Sequence, residues 1–206
     1  MVNVAYGVCT NSWRRVADYI TPRIGARPLI ALWGQTSISG AYNTVIAAVQ
    51  HLNLDMLVLL HDDLELVDPA GEEKLLAAVN EPDVAVVGVA GGSNVTGLAW
   101  WNATTVGRQR IDSGTLDFGP RAGDVESVEG SLMALSPWAL QHLRFDEQFG
   151  GWHGYDEIGL AARRAGKRVV VADVDTHHHT HLGFDSDDSH RAWLAADEMF
   201  RRKYEL

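Results

Sequence analysis

LVLLHDDLEL, residues 57–66, runs an apolar stretch straight into His61, Asp62 and Asp63, with Glu65 close behind. A strand without polar alternation is one whose two sheet faces are both covered by helices, as in a parallel α/β sheet. Ligands of such sheets gather outside the carboxyl ends of the strands, where this acidic cluster falls. Carboxylates at that place either end the strand and cap the next helix, or hold a hard divalent cation that bridges to phosphate. The stretch alone supports both readings equally.

The flanking chain repeats the pattern. NVAYGVCT (3–10), RPLIALWG (27–34) and DVAVVGVAGG (83–92) read as further strands. SWRRVADYI (12–20, with Ser12 as cap), SGAYNTVIAAVQHL (39–52) and PAGEEKLLAAVN (69–80) read as the helices between them. This alternation predicts an α/β domain with a mainly parallel sheet. Residues 91–123, rich in Gly, Ser, Thr, Trp and Arg, read as loops and short edge strands. VESVEGSLMALS (125–136) and KRVVVADV (167–174) return as strands, PWALQHL (137–143) and YDEIGLAARRAG (155–166) as helices. An amphipathic helix over 189–206 closes the chain. With no linker or repeat, residues 1–206 read as one domain.

Composition narrows the function. A formal charge of −10 argues against a nucleic-acid-binding protein and disfavours docking on anionic lipid. No apolar run is long enough to enter a membrane. Cys9 is the only cysteine, so a reducing cytoplasm is the expected location.

Three more constellations could carry chemistry. DVDTHHHTHLGF (173–184) places His177, His178, His179 and His181 after a buried strand. Imidazole is a common ligand for Mn, Zn and Fe. If the strand continues, His177, His179 and His181 share one face and His178 takes the other. FGGWHGYDEIGLAAR (149–163) sets Trp152, His153 and Tyr155, flat rings with polar edges suited to sugars, among glycines and beside Asp156 and Glu157. That acidic pair either complements a helix dipole or supplies a general base. GQTSISGAYNTVIAAV (34–49) could offer backbone N–H groups to phosphate, but it lacks a P-loop ending. YGVCTNSW (6–13) likewise lacks G-x-G-x-x-G.

In this order the segments resemble the GT-A-type glycosyltransferases, in the family-2-like bacterial and phage branch. Gly40, Ala41 and Asn43 match the family's Ala-x-Asn helix start, and HDD its aspartate-x-aspartate motif, with His61 replacing the first aspartate. LRFDEQFGGWHGYDEIGLAARRAG (143–166) matches its Gly-rich turn, acidic pair and Arg-containing helix, although the pair is reversed to Asp156-Glu157. The resemblance runs from Val2 to Gly183. It implies a single GT-A domain, with a nucleotide-sugar-binding half over 1–90, an acceptor and catalytic half over 91–183, and a C-terminal loop and helix over 184–206.

It further implies a nucleotide-sugar donor, taken as a UDP-sugar, an acceptor carbohydrate or protein, and Mn²⁺ or Mg²⁺. Asp63 would carry the metal with His179 and His181, His177 and His178 standing in reserve. Cys9, Thr10, Asn11, Gln35, Ser37, Asn43 and Asp62 would approach the nucleotide. Asp156 or Glu157 would be the base. Trp100, Trp101 and Trp152 are candidate stacking platforms, and Glu126, Glu129 and His153 candidate substrate contacts. Two rivals remain: a metal-dependent phosphoester or nucleotide hydrolase, and a non-catalytic carbohydrate-binding protein.

Overall fold

The computed structural model describes residues 2–149, 151, 153–180 and 186–206. Trp152 and His181, both expected in the site, lie outside the described residues. β1 (Val4–Thr10) leads into a helical segment made of α1 (Trp13–Arg15), a π-helical stretch (Val16–Ile20) and α2 (Thr21–Ile24). Ser12 caps it, its hydroxyl accepting from the Arg15 N–H. There follow β2 (Leu29–Trp33), α3 (Ile38–Val49), β3 (Met56–His61), β4 (Leu64–Leu66), α4 (Gly71–Val79) and β5 (Val84–Gly88).

Residues 83–92, expected as one strand, divide at Val89, and β6 (Ala90–Ser93) crosses into a second sheet. The crossing needs Gly91, because a Cβ there would stand 2.3 Å from the Ser127 carbonyl oxygen. The next segment is more regular than its composition suggests. β7 (Thr104–Ile111) is an eight-residue strand, hairpinned to β8 (Gly114–Asp117). Residues 125–136, also expected as one strand, are shared among the end of β9 (Gly123–Val125), β10 (Ser127–Val128) and β11 (Leu132–Leu135). α5 (Pro137–His142), α6 (Ile158–Arg164), β12 (Arg168–Val171), β13 (Thr176–His178) and α7 (Asp187–Tyr204) complete the order.

The main sheet has seven strands in the order β2-β1-β3-β11-β5-β12-β9. β2, β1, β3, β5 and β12 run one way, and β11 and β9 run against them. The second sheet has the order β10-β6-β7-β13-β4, with β8 beside β7. β3 shows why its run is unbroken by polar residues. Leu57 and Leu59 face Tyr42, Val45 and Ile46 of α3, while Met56, Val58 and Leu60 join Leu75 and Val79 of α4 in the core on the opposite face. Each fully buried aliphatic chain contributes about 1.5–3 kcal/mol by leaving water. α7 docks through Phe200 and Tyr204 against Leu98 and Phe149. No helix among the described residues is long and apolar enough to cross a membrane.

Candidate active site

β1 and β3 are parallel neighbours with Cys9 registered on His61, so their carboxyl ends open on the same side of the sheet. A cleft of about 340 Å³ lies there, lined by Cys9, Thr10, Asn11, Arg15, Ile38, Tyr42 and the His61-Asp62-Asp63 turn. Asp62 accepts from the Thr10 hydroxyl at 2.7 Å and from Arg15 Nη1 at 3.2 Å. Arg15 reaches Asp63 at 3.9 Å as well, so one guanidinium stands over both carboxylates. Cys9, Thr10, Asn11, Asp62 and Asp63, each a candidate from the sequence, thus line one cleft. Arg15 does not show in the sequence, because SWRRVADYI reads only as a helix, and it is the helix's placement over β3 that brings it in.

Asp63 lies opposite a histidine, but not the one expected. β13 pairs antiparallel to β4 with His178 facing Leu64, and His178 Nε2 sits 3.1 Å from Asp63 Oδ1. Strand alternation turns His177 and His179 to the other face, where His179 Nε2 meets Glu65 at 3.1 Å. The expected grouping of Asp63 with His179 is therefore replaced by His61, Asp63 and His178, whose ligand atoms lie within 4.8 Å of one another. Burial would raise Asp63, but its hydrogen bond to His178 and the nearby His61 and Arg15 outweigh it and hold the carboxyl below its ordinary range. Burial, with His178 beside it, pulls His61 down and favours its neutral form. Burial opposes charge on His178 too, yet Asp63 and Glu129 raise it overall.

The acidic pair resolves into two different environments. Glu157 is 1% exposed and its carboxylate is fully engaged. It accepts from the Asp146 N–H at 3.2 Å, from Lys203 Nζ at 2.9 Å and from the Tyr204 hydroxyl. The latter two come from α7, so Glu157 fastens the C-terminal helix to the turn. Asp156 keeps partial exposure, and burial pushes its carboxyl up to about 7, with Glu129 and Glu157 adding repulsion. Tyr155 ties this turn to the cleft, its hydroxyl 2.9 Å from His61 Nε2. Gly130 makes that placement possible, since a Cβ there would fall 1.9 Å from the Tyr155 ring.

Other expected residues have different employment. Asn43 clamps α3 to the 145–147 loop. Its Oδ1 accepts from the Phe145 N–H, and its Nδ2 donates to the Phe145 carbonyl and to Glu147. Ser37 caps α3 through Gly40, and Gln35 donates to the Trp33 carbonyl. Trp100 is 5% exposed and packs edge-on to Phe118, which removes it as a stacking platform. Trp101 stays half exposed beside Trp193. Glu126 accepts from the Val95 N–H, Glu129 from the Ser131 N–H and from Gln109, and His153 lies 3.5 Å from the Ser189 hydroxyl. Trp13 and Trp33, which no motif in the sequence singles out, are each about half exposed and stacked at 5.5 Å. Trp33 is registered on Thr10, at the rim of the cleft.

A sequence profile of the Glycosyltransferase like family matches residues 20–198. The streptomycin biosynthesis protein StrF of Streptomyces griseus is 31% identical over 196 residues, taking in 88% of this chain and 68% of that protein. Among solved structures, A197 from STIV superposes with a TM-score of 0.61 at 11% identity, over 88% of this chain and 87% of that one. GalNAc-T7 with UDP, GalNAc and Mn²⁺ gives 0.60 at 11% identity, over 96% of this chain and 48% of that one. The mannosyltransferase PcManGT from Pyrobaculum calidifontis, in complex with GDP-Man and Mn²⁺, gives 0.51 at 15% identity, over 87% and 57%. At these identities the structural likenesses speak for the GT-A fold alone.

Proposed function

The chain belongs to the glycosyltransferase-like family, and from that membership we propose that it moves a sugar from a nucleoside-diphosphate donor to an acceptor hydroxyl, with Asp156 as base. The observation that carries this reading is that the His61, Asp63 and His178 group at the cleft is tied, through the Tyr155 hydroxyl on His61, to the turn that carries Asp156. A hydrolase reading accounts for the group and leaves Asp156 without work.

The donor set of two imidazoles and one carboxylate fits Mn²⁺ better than Mg²⁺, which prefers oxygen ligands. Asp63 Oδ1 and His178 Nε2, 3.1 Å apart, mark the place a cation would take. When bound there, Mn²⁺ would supply Lewis-acid stabilisation of the departing diphosphate. Arg15 adds a fixed positive charge over the same cleft and can leave Asp62 for a phosphate oxygen. Thr10, Asn11 and Asp62 bind the ribose side of the donor, and Cys9, sunk at the end of β1, floors the cleft. The Trp13–Trp33 pair offers its exposed faces to the base, and Trp101 offers one to the acceptor. Asp156, kept basic near neutral pH by burial, accepts the acceptor's hydroxyl proton as that oxygen attacks the sugar.

Two outcomes are expected for residues around the cleft. Base stacking on an aromatic ring is worth ~1–3 kcal/mol, so Trp33→Ala should raise the donor KM about 5- to 150-fold with kcat little changed. Initial-rate kinetics over donor concentration checks it. Tyr155→Phe removes the hydrogen bond that orients His61. Such orienting partners are worth about 10–100-fold in metal affinity, read by titrating Mn²⁺ against its free paramagnetic signal.

The proposal is tested by thermal shift with UDP-, GDP-, dTDP- and CMP-linked sugars, with and without Mn²⁺. A donor at about 100 times its Kd stabilises by ~2.7 kcal/mol. One nucleotide class should raise the melting temperature in a Mn²⁺-dependent way. No shift with any of them would overturn the reading. The name of StrF makes amino-sugar glycosides of the streptomycin kind a sensible class to include among the acceptors.

A further inference from the structure

The face of the β4–β13 ribbon turned away from the cleft carries a second constellation. Glu65 and His177 are direct cross-strand partners, and His179 follows two residues on, so all three project to one side. Their ligand atoms lie within 4.8 Å of one another. Glu65 Oε2 stands 3.1 Å from His179 Nε2, whereas its Oε1 is held by Arg23. Asp112, at the β7–β8 turn, places Oδ1 3.0 Å from His177 Nε2 and 3.4 Å from His179 Nδ1. The rings are packed together: Tyr19 stacks on His179 at 3.9 Å and 13°, and the His177 ring lies 3.9 Å from His179, tilted by 35°.

We propose that Glu65, His177 and His179 form a second cation site, separate from the Asp63 cluster, that takes a borderline transition-metal ion such as Zn²⁺. Two imidazoles and a carboxylate are the ligand types Zn²⁺ favours. Zinc bonds of ~2.0–2.1 Å put tetrahedral donors about 3.3 Å apart, close to the 3.1 Å already present between His179 and Glu65. With His179 bound through Nε2, its Nδ1–H faces Asp112, the carboxylate acceptor that commonly orients a ligating imidazole. Arg23 on the far oxygen of Glu65 leaves the near one directed at the site. The ion would join β4 to β13, strands of three residues each, with few ladder bonds of their own. His178 of β13, and Asp63 in the turn that leads into β4, lie on the other side. Zinc here would therefore stiffen the ribbon without touching the donor. The proposal goes beyond the transfer reading and stands whether or not sugar is transferred.

The experiment uses the full chain stripped with chelator and reconstituted with Zn²⁺ alone. Bound zinc is counted by elemental analysis after dialysis, and melting temperature is recorded with and without the ion. In the Asp63→Asn background, which removes the carboxylate of the other cluster, one tightly held zinc per chain and its thermal gain are expected to remain, and adding Glu65→Gln or His177→Ala to lose both. Asp112→Asn should weaken zinc about 10–100-fold. Glu65→Gln keeps shape and volume, so it decides the matter if His177→Ala fails to fold. No zinc retained by Asp63→Asn, or zinc still retained when Glu65→Gln is added to it, would overturn the proposal.

Discussion

Asp156→Asn is expected to lower kcat by ~10²–10⁴-fold while the donor KM stays within a few-fold, because a general base acts only as the acceptor oxygen attacks. Glu157→Gln is expected to act differently. Its carboxylate is bound by the Asp146 N–H, Lys203 and Tyr204, so the loss falls on stability and on the docking of α7. The two variants thus separate a base from a fastener, which alanine scanning of the pair by rate alone would blur. In the unaltered enzyme kcat should fall tenfold per pH unit below about 7, as the Asp156 carboxyl takes up its proton. The same residue has a stability signature. Its folded-state pKa lies above the unfolded value, so between about 4 and 7 the native chain holds a proton that the unfolded chain has lost. Stability then falls as pH rises through that window and is flat above it. Raising this carboxyl from 3.8 to about 7 corresponds to roughly 4 kcal/mol at most. Asp156→Asn, which cannot ionise, should therefore melt above the unaltered chain at pH 8, with the gap closing towards pH 4.

Asp63→Asn is the second large effect. Removing this carboxylate takes the anionic ligand from the His61, Asp63 and His178 group and leaves His178 without its partner. Stabilisation of leaving-group charge by a cation is worth several kcal/mol, so the loss in kcat should be about 10³-fold or more. Mn²⁺-dependent stabilisation by nucleotide should vanish with it. Because His178 must give up its proton to act as a ligand, Mn²⁺ affinity in the unaltered chain should also weaken as pH falls and His178 holds that proton. Metal titration of both proteins at pH 6 and pH 8 checks the pair of statements.

Much of the fold and the site is legible in the residues. LVLLHDDLEL specifies a doubly covered strand with its carboxylates at the ligand-binding end, because burial on both faces and the place of the cleft are consequences of the same sheet. The acidic pair is legible as a pair, but not its division of labour. That division depends on α7, whose Lys203 and Tyr204 arrive from more than forty residues away. Strand alternation correctly puts His178 on the face opposite His177 and His179, yet which face meets Asp63 is decided by the β4–β13 register. Asn43 reads as a ligand contact because it matches the Ala-x-Asn helix start of the resembled family, and Trp100 because an indole suits stacking on a sugar or acceptor. Phe145 and Phe118 claim them first. Residues 91–123 look irregular because glycines at crossings between two sheets replace the alternation by which strands are recognised.

The most direct measurement tracks the sugar. The enzyme is incubated with the nucleotide sugar that stabilises it, Mn²⁺ and a panel of hydroxyl acceptors, and nucleoside diphosphate and glycosylated product are separated and counted. Diphosphate and product are expected to accumulate one to one, to stop on chelation, and to fall ~10²–10⁴-fold with Asp156→Asn. Sugar released only to water, or a product formed equally well with chelator and with Asp156→Asn, would contradict the assignment of this cleft and this base.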